Sequence, residues 1–219
     1  MTVTNHFLQC EGGVIWCSDQ VSLNVATSSF YNNKADDSGG TMFTRGCSLQ
    51  INDSIFDHNL GSLYIFKNSN LTFSGYTRFK NCTEPLNGMV TEGPLSQVYQ
   101  EGGAITSIQS NVIFTGVTSL SNNQASSGGA ILAIESSIMM ALYSLTIIAN
   151  NTAINGSGGG IFLHQSYLEI TGNCSISGNH AVRGEGIYAT GSNIATYQPG
   201  TLQFINNRAE KWKWTLFES

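Results

Sequence analysis

The stretch LSNNQASSGGAI, residues 120–131, contains two short motifs that recur along most of the chain. In the first motif an apolar residue is followed three positions later by Asn, as in Leu120 and Asn123. Its copies place Asn at Asn33, Asn59, Asn123, Asn151, Asn179 and Asn207. In the second motif two small residues precede a small or apolar residue and then an apolar one. Its copies begin at Gly12, Gly39, Gly61, Gly102, Gly128, Gly158 and Gly184. The chain is therefore an internal repeat.

A third feature keeps the same register as the two motifs. A serine follows the apolar position of the glycine motif by five residues, at Ser69, Ser110, Ser136, Ser166 and Ser192, with Cys47 in the same place. Pairs of apolar residues at alternate positions come next, as in Val112 and Phe114. Alternation over so few residues is typical of short strands, and each copy has room for three of them.

One repeat cannot bury its apolar face alone, whereas stacked repeats can, each strand pairing in parallel with its copies above and below. The sequence thus predicts an all-β fold: a right-handed, single-stranded parallel β-helix. We expect seven or eight rungs of roughly 26 residues with three strands each. The recurring glycines suit sharp corners, and the recurring Asn side chains are expected to form a hydrogen-bonded ladder.

Stacking also predicts continuous columns of like side chains in the core. Phe30, Phe56, Phe79 and Phe204 are expected in one column, and Ile131, Ile161 and Ile187 in another. Cys10 and Cys82 replace Asn in two copies and are expected to be internal and not catalytic. For the five cysteines, buried free thiols are the favoured interpretation, with one disulfide left open.

The departures from the repeat suggest how the chain is organised. The repeat domain is assigned to residues 1–210, and residues 84–100 are predicted to form a loop between two rungs, which is either a partner-binding loop or an inert excursion. Residues 211–219 do not follow the repeat and are either a cap or a foreign tail. Both ends interrupt a rung, which predicts a fragment of a longer solenoid.

Composition excludes several classes of protein. Charged residues make up 11% of the chain, against about 25% in typical soluble domains, and 41% of residues are hydrophobic. The net charge of −5 argues against a nucleic-acid partner. We find no signal peptide, no transmembrane segment, and no motif for a cofactor or metal. Six sequons are compatible with secretion and N-glycosylation: Asn52, Asn70, Asn81, Asn150, Asn155 and Asn173.

The alternation of GGA[ILV] with FxxN resembles the repeats of the polymorphic outer membrane proteins of chlamydiae. The residues that carry the resemblance are Gly102 to Ile105, Gly128 to Ile131 and Phe30 to Asn33, and looser copies cover residues 7 to 210. The resemblance implies a β-helical protein that is secreted or displayed at the cell surface and acts in adhesion.

Parallel β-helices also include polysaccharide lyases and glycosidases, which require clustered carboxylates. The candidates here are Asp36, Asp37 and Asp57, with Arg45 near them in sequence. Solvated corner carboxylates are the simpler interpretation. We therefore expect a non-enzymatic adhesive or structural scaffold that binds proteins or glycans. The alternative is a polysaccharide-active enzyme.

Overall fold

The chain winds into stacked rungs, each of which passes in turn through four parallel ladders of strands. The computed structural model describes residues 13–35, 39–61, 63–84 and 102–209, together with the backbone of Thr2–Thr4, Phe7–Leu8 and Phe217–Glu218. Seven rungs are complete, and rungs 1 to 7 begin at Ile15, Met42, Leu63, Ile105, Ile131, Ile161 and Ile187. No helix occurs in these residues.

Sheet 1 contains the strands that directly follow the glycine motif, and sheet 2 contains those that follow the next corner. Sheet 1 consists of Ile15–Ser18, Met42–Arg45, Leu63–Phe66, Ile105–Ile108, Ile131–Ile134, Ile161–His164, Ile187–Thr190 and Phe217–Glu218. Sheet 2 consists of Ser22–Ala26, Ser48–Asn52, Asn70–Ser74, Asn111–Phe114, Ser137–Met140, Tyr167–Ile170 and Asn193–Thr196.

The other two ladders complete each rung. Sheet 3 consists of Thr2–Thr4, Ser29–Tyr31, Ile55–Asp57, Tyr76–Lys80, Val117–Ser121, Leu145–Ala149, Asn173–Ser177 and Thr201–Ile205. Sheet 4 has strands of two residues only: Phe7–Leu8, Lys34–Ala35, Gln124–Ala125, Thr152–Ala153, His180–Ala181 and Arg208–Ala209. Single-residue bridges at Leu60 and Thr83 connect its two parts.

Like residues lie above like residues because every strand pairs in parallel with its copies. Ile131 pairs with Ile161, and Ile161 with Ile187, and all three are fully buried. In sheet 3 the rings of Phe30 and Phe56 stack with centroids 4.9 Å apart, and those of Phe56 and Phe79 with centroids 4.5 Å apart. The predicted parallel β-helix is confirmed, and its core is a set of columns that run along the axis.

The structure differs from the sequence prediction in two details. Rungs 1 and 4 to 7 have a short fourth strand besides the three predicted, because the backbone pairs for two residues before it turns at the glycine corner, and rungs 2 and 3 have a single-residue bridge at the same place. Phe204 has the expected register, yet its side chain is 45% exposed, because no described strand stacks on the outer side of its sheet 3 strand.

Two predicted segments fall largely outside the described residues. Residues 85–100 of the predicted loop and residues 211–216 and 219 of the predicted tail are not described. Within that tail the backbone of Phe217–Glu218 pairs in parallel with Ala189 and Thr190 of sheet 1.

The cysteines divide into one disulfide and buried thiols. Cys17 of rung 1 is bonded to Cys47 of rung 2, so the favoured interpretation of free thiols is wrong for this pair. Cys82 and Cys174 are free and buried, and Cys10 lies outside the described residues. Burial raises the pKa of the Cys174 thiol to about 12, which keeps it protonated and unreactive at neutral pH.

Sheet 1 is apolar on both faces, unlike sheets 2 and 3. Its inward side chains join the main core, while a second cluster of buried side chains lies on its outer face. That cluster contains Phe43, Tyr64, Phe66, Ile108, Leu132, Ile134, Phe162 and Tyr188. Outward polar side chains are therefore displayed mainly by sheets 2 and 3 and by the corners.

Candidate functional site

The corner between sheets 1 and 2 is held by a ladder of serines. The Ser110 N–H donates to the Ser136 hydroxyl at 3.3 Å, and the Ser136 N–H donates to the Ser166 hydroxyl at 3.1 Å. Each hydroxyl in turn donates to a carbonyl two residues back, as Ser136 does to Ile134 at 2.8 Å. These bonds satisfy the corner backbone where no strand pairing is available, and the same turn recurs in rungs 4 to 7.

This repeated turn points one side chain per rung outward. The residues before the serines, Gln109, Glu135 and Gln165, all have a left-handed backbone, with φ between 48° and 49°. The residues after the serines begin the sheet 2 strands and also face outward, as Asn111 and Tyr167 do. Two columns of long polar side chains thus run along the axis with the serines between them.

The two columns enclose a groove of about 770 Å³ that crosses rungs 3 to 7. Its lining consists of Asn68, Gln109, Ser110, Asn111, Glu135, Ser136, Ser137, Gln165, Ser166, Tyr167, Gly191 and Asn193. Adjacent rungs are about 4.8 Å apart, so a groove that crosses five of them is about 19 Å long.

Hydrogen-bonding groups in the groove are only partly used by the protein. The Gln109 amide donates to Glu135 at 2.8 Å, and the Asn111 amide donates to Asn70 at 2.9 Å. Among the described residues, the side-chain amides of Asn68, Gln165 and Asn193 have no protein hydrogen-bond partner. An amide both donates and accepts, so the groove presents a mixed set of donors and acceptors to a ligand.

Two tyrosines from rungs 6 and 7 lie close together near one end of the groove. The hydroxyls of Tyr167 and Tyr197 lie 3.4 Å apart at an exposed position, and Tyr197 follows the sheet 2 strand of rung 7. This hydrogen bond is the main cause that raises the pKa of Tyr167 to about 12, and partial desolvation and the Glu169 carboxylate act in the same direction. The Tyr167 hydroxyl is therefore neutral at physiological pH.

The recurring Asn residues lie in the interior, at the end of sheet 3, and face no groove. Asn151 accepts from the backbone N–H and the amide of Asn123, and its own amide donates to Leu120 and Asn179 at 3.0 Å each. The bonds repeat from Asn33 to Asn59 and from Asn179 to Asn207. In rung 3 the Cys82 thiol donates to Phe56 in place of an amide.

The corner glycines also have a structural role, since they allow the turn and the close stacking of rungs. Positive φ occurs at five of the first glycines, Gly39, Gly61, Gly128, Gly158 and Gly184, whereas Gly102 lacks it and Gly12 is not described. The second glycine of a pair allows close stacking, since a Cβ on Gly129 would meet the Gly159 carbonyl of the next rung.

The structure does not assemble the acidic residues suggested for catalysis. Asp36 and Asp37 lie outside the described residues. Arg45 ends a sheet 1 strand near the Phe66 ring, whereas Asp57 ends a sheet 3 strand, where it accepts from Asn81 and contacts His58. Asp57 and Arg45 therefore lie on different walls of the solenoid.

The sequon residues are spread over several walls. Asn70, Asn150, Asn155 and Asn173 are exposed, while Asn52 and Asn81 are half-buried. Asn70 and Asn173 accept hydrogen bonds from Asn111 and Thr201, respectively. The groove was not predicted from the sequence, although the long polar residues directly before the serine column indicate it.

The described residues contain neither a cluster of metal ligands nor a membrane-spanning helix. No three His, Cys, Asp or Glu side chains in them are grouped so as to hold a metal ion. Nor do they include a helix with the length and apolar character needed to cross a membrane.

Comparison with known proteins gives one match. The family model of the Chlamydia polymorphic membrane protein repeat matches residues 117–134. This segment begins with the strand Val117–Ser121, passes Asn123 and the glycine corner at Gly128, and ends with the strand Ile131–Ile134. The match confirms the resemblance seen in the sequence. No curated protein and no solved structure matches the chain.

Proposed function

We propose that the chain is the β-helical part of a cell-surface or secreted protein that acts in adhesion, without catalysing a reaction. The matched repeat is named for a polymorphic membrane protein of Chlamydia, which points to an outer-membrane or surface protein with this fold. In such a protein the solenoid holds its lateral walls away from the membrane, where they are accessible to partners.

The groove between sheets 1 and 2 is the observation that carries the proposal. It spans five rungs, is lined by amides, hydroxyls and one tyrosine ring, and contains a single ionisable carboxylate, Glu135. Hydrolysis of a glycosidic bond ordinarily needs two carboxylates on either side of that bond. A row of neutral donors and acceptors is suited to holding a partner.

A cell-binding assay tests this proposal. Beads coated with the purified 219-residue protein are expected to bind cultured epithelial cells more than beads coated with a thermally unfolded sample. Soluble folded protein should compete with the beads. Equal binding by the folded and unfolded samples would contradict the proposal, as would release of reducing sugar from a polysaccharide panel by the folded protein.

A further inference from the structure

We infer that the groove between sheets 1 and 2 is a binding site for a neutral, linear oligosaccharide that lies along the axis of the solenoid. The inference rests on the proposed function, because it names the ligand class of that same groove. It follows from three properties of the described residues: the backbone pairing, the charge, and the kind and spacing of the polar groups.

The backbone pairing argues against a peptide ligand. Sheets 1 and 2 pair rung to rung, so their N–H and C=O groups are engaged along the axis, and among the described residues the wall offers no free strand edge between its first and last rungs. Peptides that bind in an extended form usually add a strand to such an edge. The repeat of an extended peptide, about 3.3 Å per residue, also differs from the rung spacing of about 4.8 Å.

The charge argues against an anionic ligand. Glu135 is the only charged residue among those that line the groove, and no lysine or arginine is among them. Phosphate, sulfate and carboxylate groups are bound mainly by arginine and lysine side chains or by clustered backbone N–H groups. A polyanion in this groove would meet a carboxylate and no compensating cation.

The polar groups fit a ligand that carries hydroxyls. The free amides of Gln165 and Asn193 can each donate and accept, as sugar hydroxyls can. Tyr167 adds an aromatic ring with an apolar face against which the C–H groups of a sugar can pack. Rungs 4 to 6 each place one polar residue on either side of the serine column, about 4.8 Å farther along the axis each time, so an extended sugar chain can form hydrogen bonds with successive rungs.

Isothermal titration calorimetry on the full chain tests the inference with defined probes. Cellohexaose and chitohexaose are the neutral ligands, and hexasaccharides of hyaluronan and heparin are the anionic ones. We expect at least one neutral ligand to bind. The variant Gln165→Ala/Tyr167→Ala should bind it about tenfold more weakly, which corresponds to the loss of one hydrogen bond and one ring contact.

The matched control is Tyr143→Ala/Gln203→Ala, which also removes one tyrosine and one amide. Both of its sites are exposed outside the groove, and Tyr143 has a positive φ as Gln165 does. This variant should keep the wild-type affinity.

Three outcomes would overturn the inference: binding of neither neutral ligand, binding of the anionic ligands alone, or equal weakening by the groove and control variants. Bead adhesion that persists in the groove variant, together with any of these outcomes, would leave the proposed function standing without a glycan ligand.

Discussion

At the scale of the residue, Asn151 shows how one side chain joins three rungs. Its carbonyl oxygen accepts twice from Asn123 in the rung before, and its amide donates to Asn179 in the rung after. The side chain is fully buried, so no water can replace these bonds if it is removed. Asn suits this position because its side chain accepts at the carbonyl oxygen and donates at the amide nitrogen, so it can bond to the rungs on both sides.

The substitution Asn151→Ala should therefore lower the free energy of unfolding by about 3 kcal/mol, because it leaves the buried Asn123 N–H unsatisfied. Urea denaturation measures the change. The control is Asn24→Ala, which removes an exposed Asn from sheet 2 and should change stability by less than about 0.5 kcal/mol. Similar losses in the two variants would mean that the ladder does not stabilise the fold.

Tyr167 provides a test of the groove at the same scale. Its pKa is raised from 10.0 to about 12, chiefly by the hydrogen bond to Tyr197. We expect Tyr197→Phe to lower this pKa toward 10, measured by ultraviolet titration of tyrosine ionisation. The folded pKa exceeds the unfolded one, so the stabilising contribution is present below pH 10 and is lost as pH rises through about 12. A Tyr167 pKa that stays near 12 in the variant would show that the two hydroxyls do not interact.

At the scale of the element, the corners decide how strands stack. Gly128 needs a positive φ of 60° to start the turn into sheet 1, and a Cβ there would also meet the backbone of Ile131. Gly46 has a similar φ of 68°, but the nearest atom to its Cβ position is the Lys67 oxygen at 3.8 Å. At both positions the backbone conformation would strain a residue with a side chain, but only at Gly128 is there no space for a Cβ.

Alanine substitution separates these two effects. Gly46→Ala should cost about 1 kcal/mol of stability, which is the penalty for a left-handed backbone. Gly128→Ala should cost at least about 3 kcal/mol, because the same penalty is joined by a backbone clash. Thermal unfolding measures both. If both substitutions lower the stability equally, the backbone clash expected at Gly128 does not contribute.

At the scale of the whole molecule, each rung contacts only its neighbours, so stability is local along the axis. The Cys17–Cys47 disulfide joins rungs 1 and 2 at the positions where the hydroxyls of Ser107 and Ser136 join rungs 4 and 5, 3.1 Å apart. The covalent bond between rungs 1 and 2 thus occupies the place that a hydrogen bond has between rungs 4 and 5, and we expect it to stabilise this part of the solenoid.

Reduction of the disulfide should therefore act on that part alone. Hydrogen exchange is expected to become faster in rungs 1 and 2 after dithiothreitol treatment, while protection in rungs 5 and 6 stays unchanged. The double variant Cys17→Ser/Cys47→Ser should show the same pattern without reductant and should respond no further to it. A uniform loss of protection along the chain would indicate that the rungs unfold as one cooperative unit.

The amino-acid sequence by itself determined the β-helix. The period of the glycine and Asn motifs specifies which residues stack, and parallel pairing of like with like is the arrangement that buries their apolar faces. Ile131 above Ile105 and Asn151 above Asn123 follow from spacing alone. The sequence also indicated the short strands and the structural character of Cys82.

Only the tertiary structure decided which cysteines bond, on which wall the acidic residues lie, and where a groove forms. Cys17 and Cys47 are 30 residues apart, and their contact depends on how far each strand turns before the next corner. Asp57 and Arg45 are close in the chain but lie on different sheets for the same reason. The groove exists because a left-handed corner repeats in register and turns Gln109, Glu135 and Gln165 outward. Residue spacing places these three in one column but does not specify the backbone conformation that turns them outward.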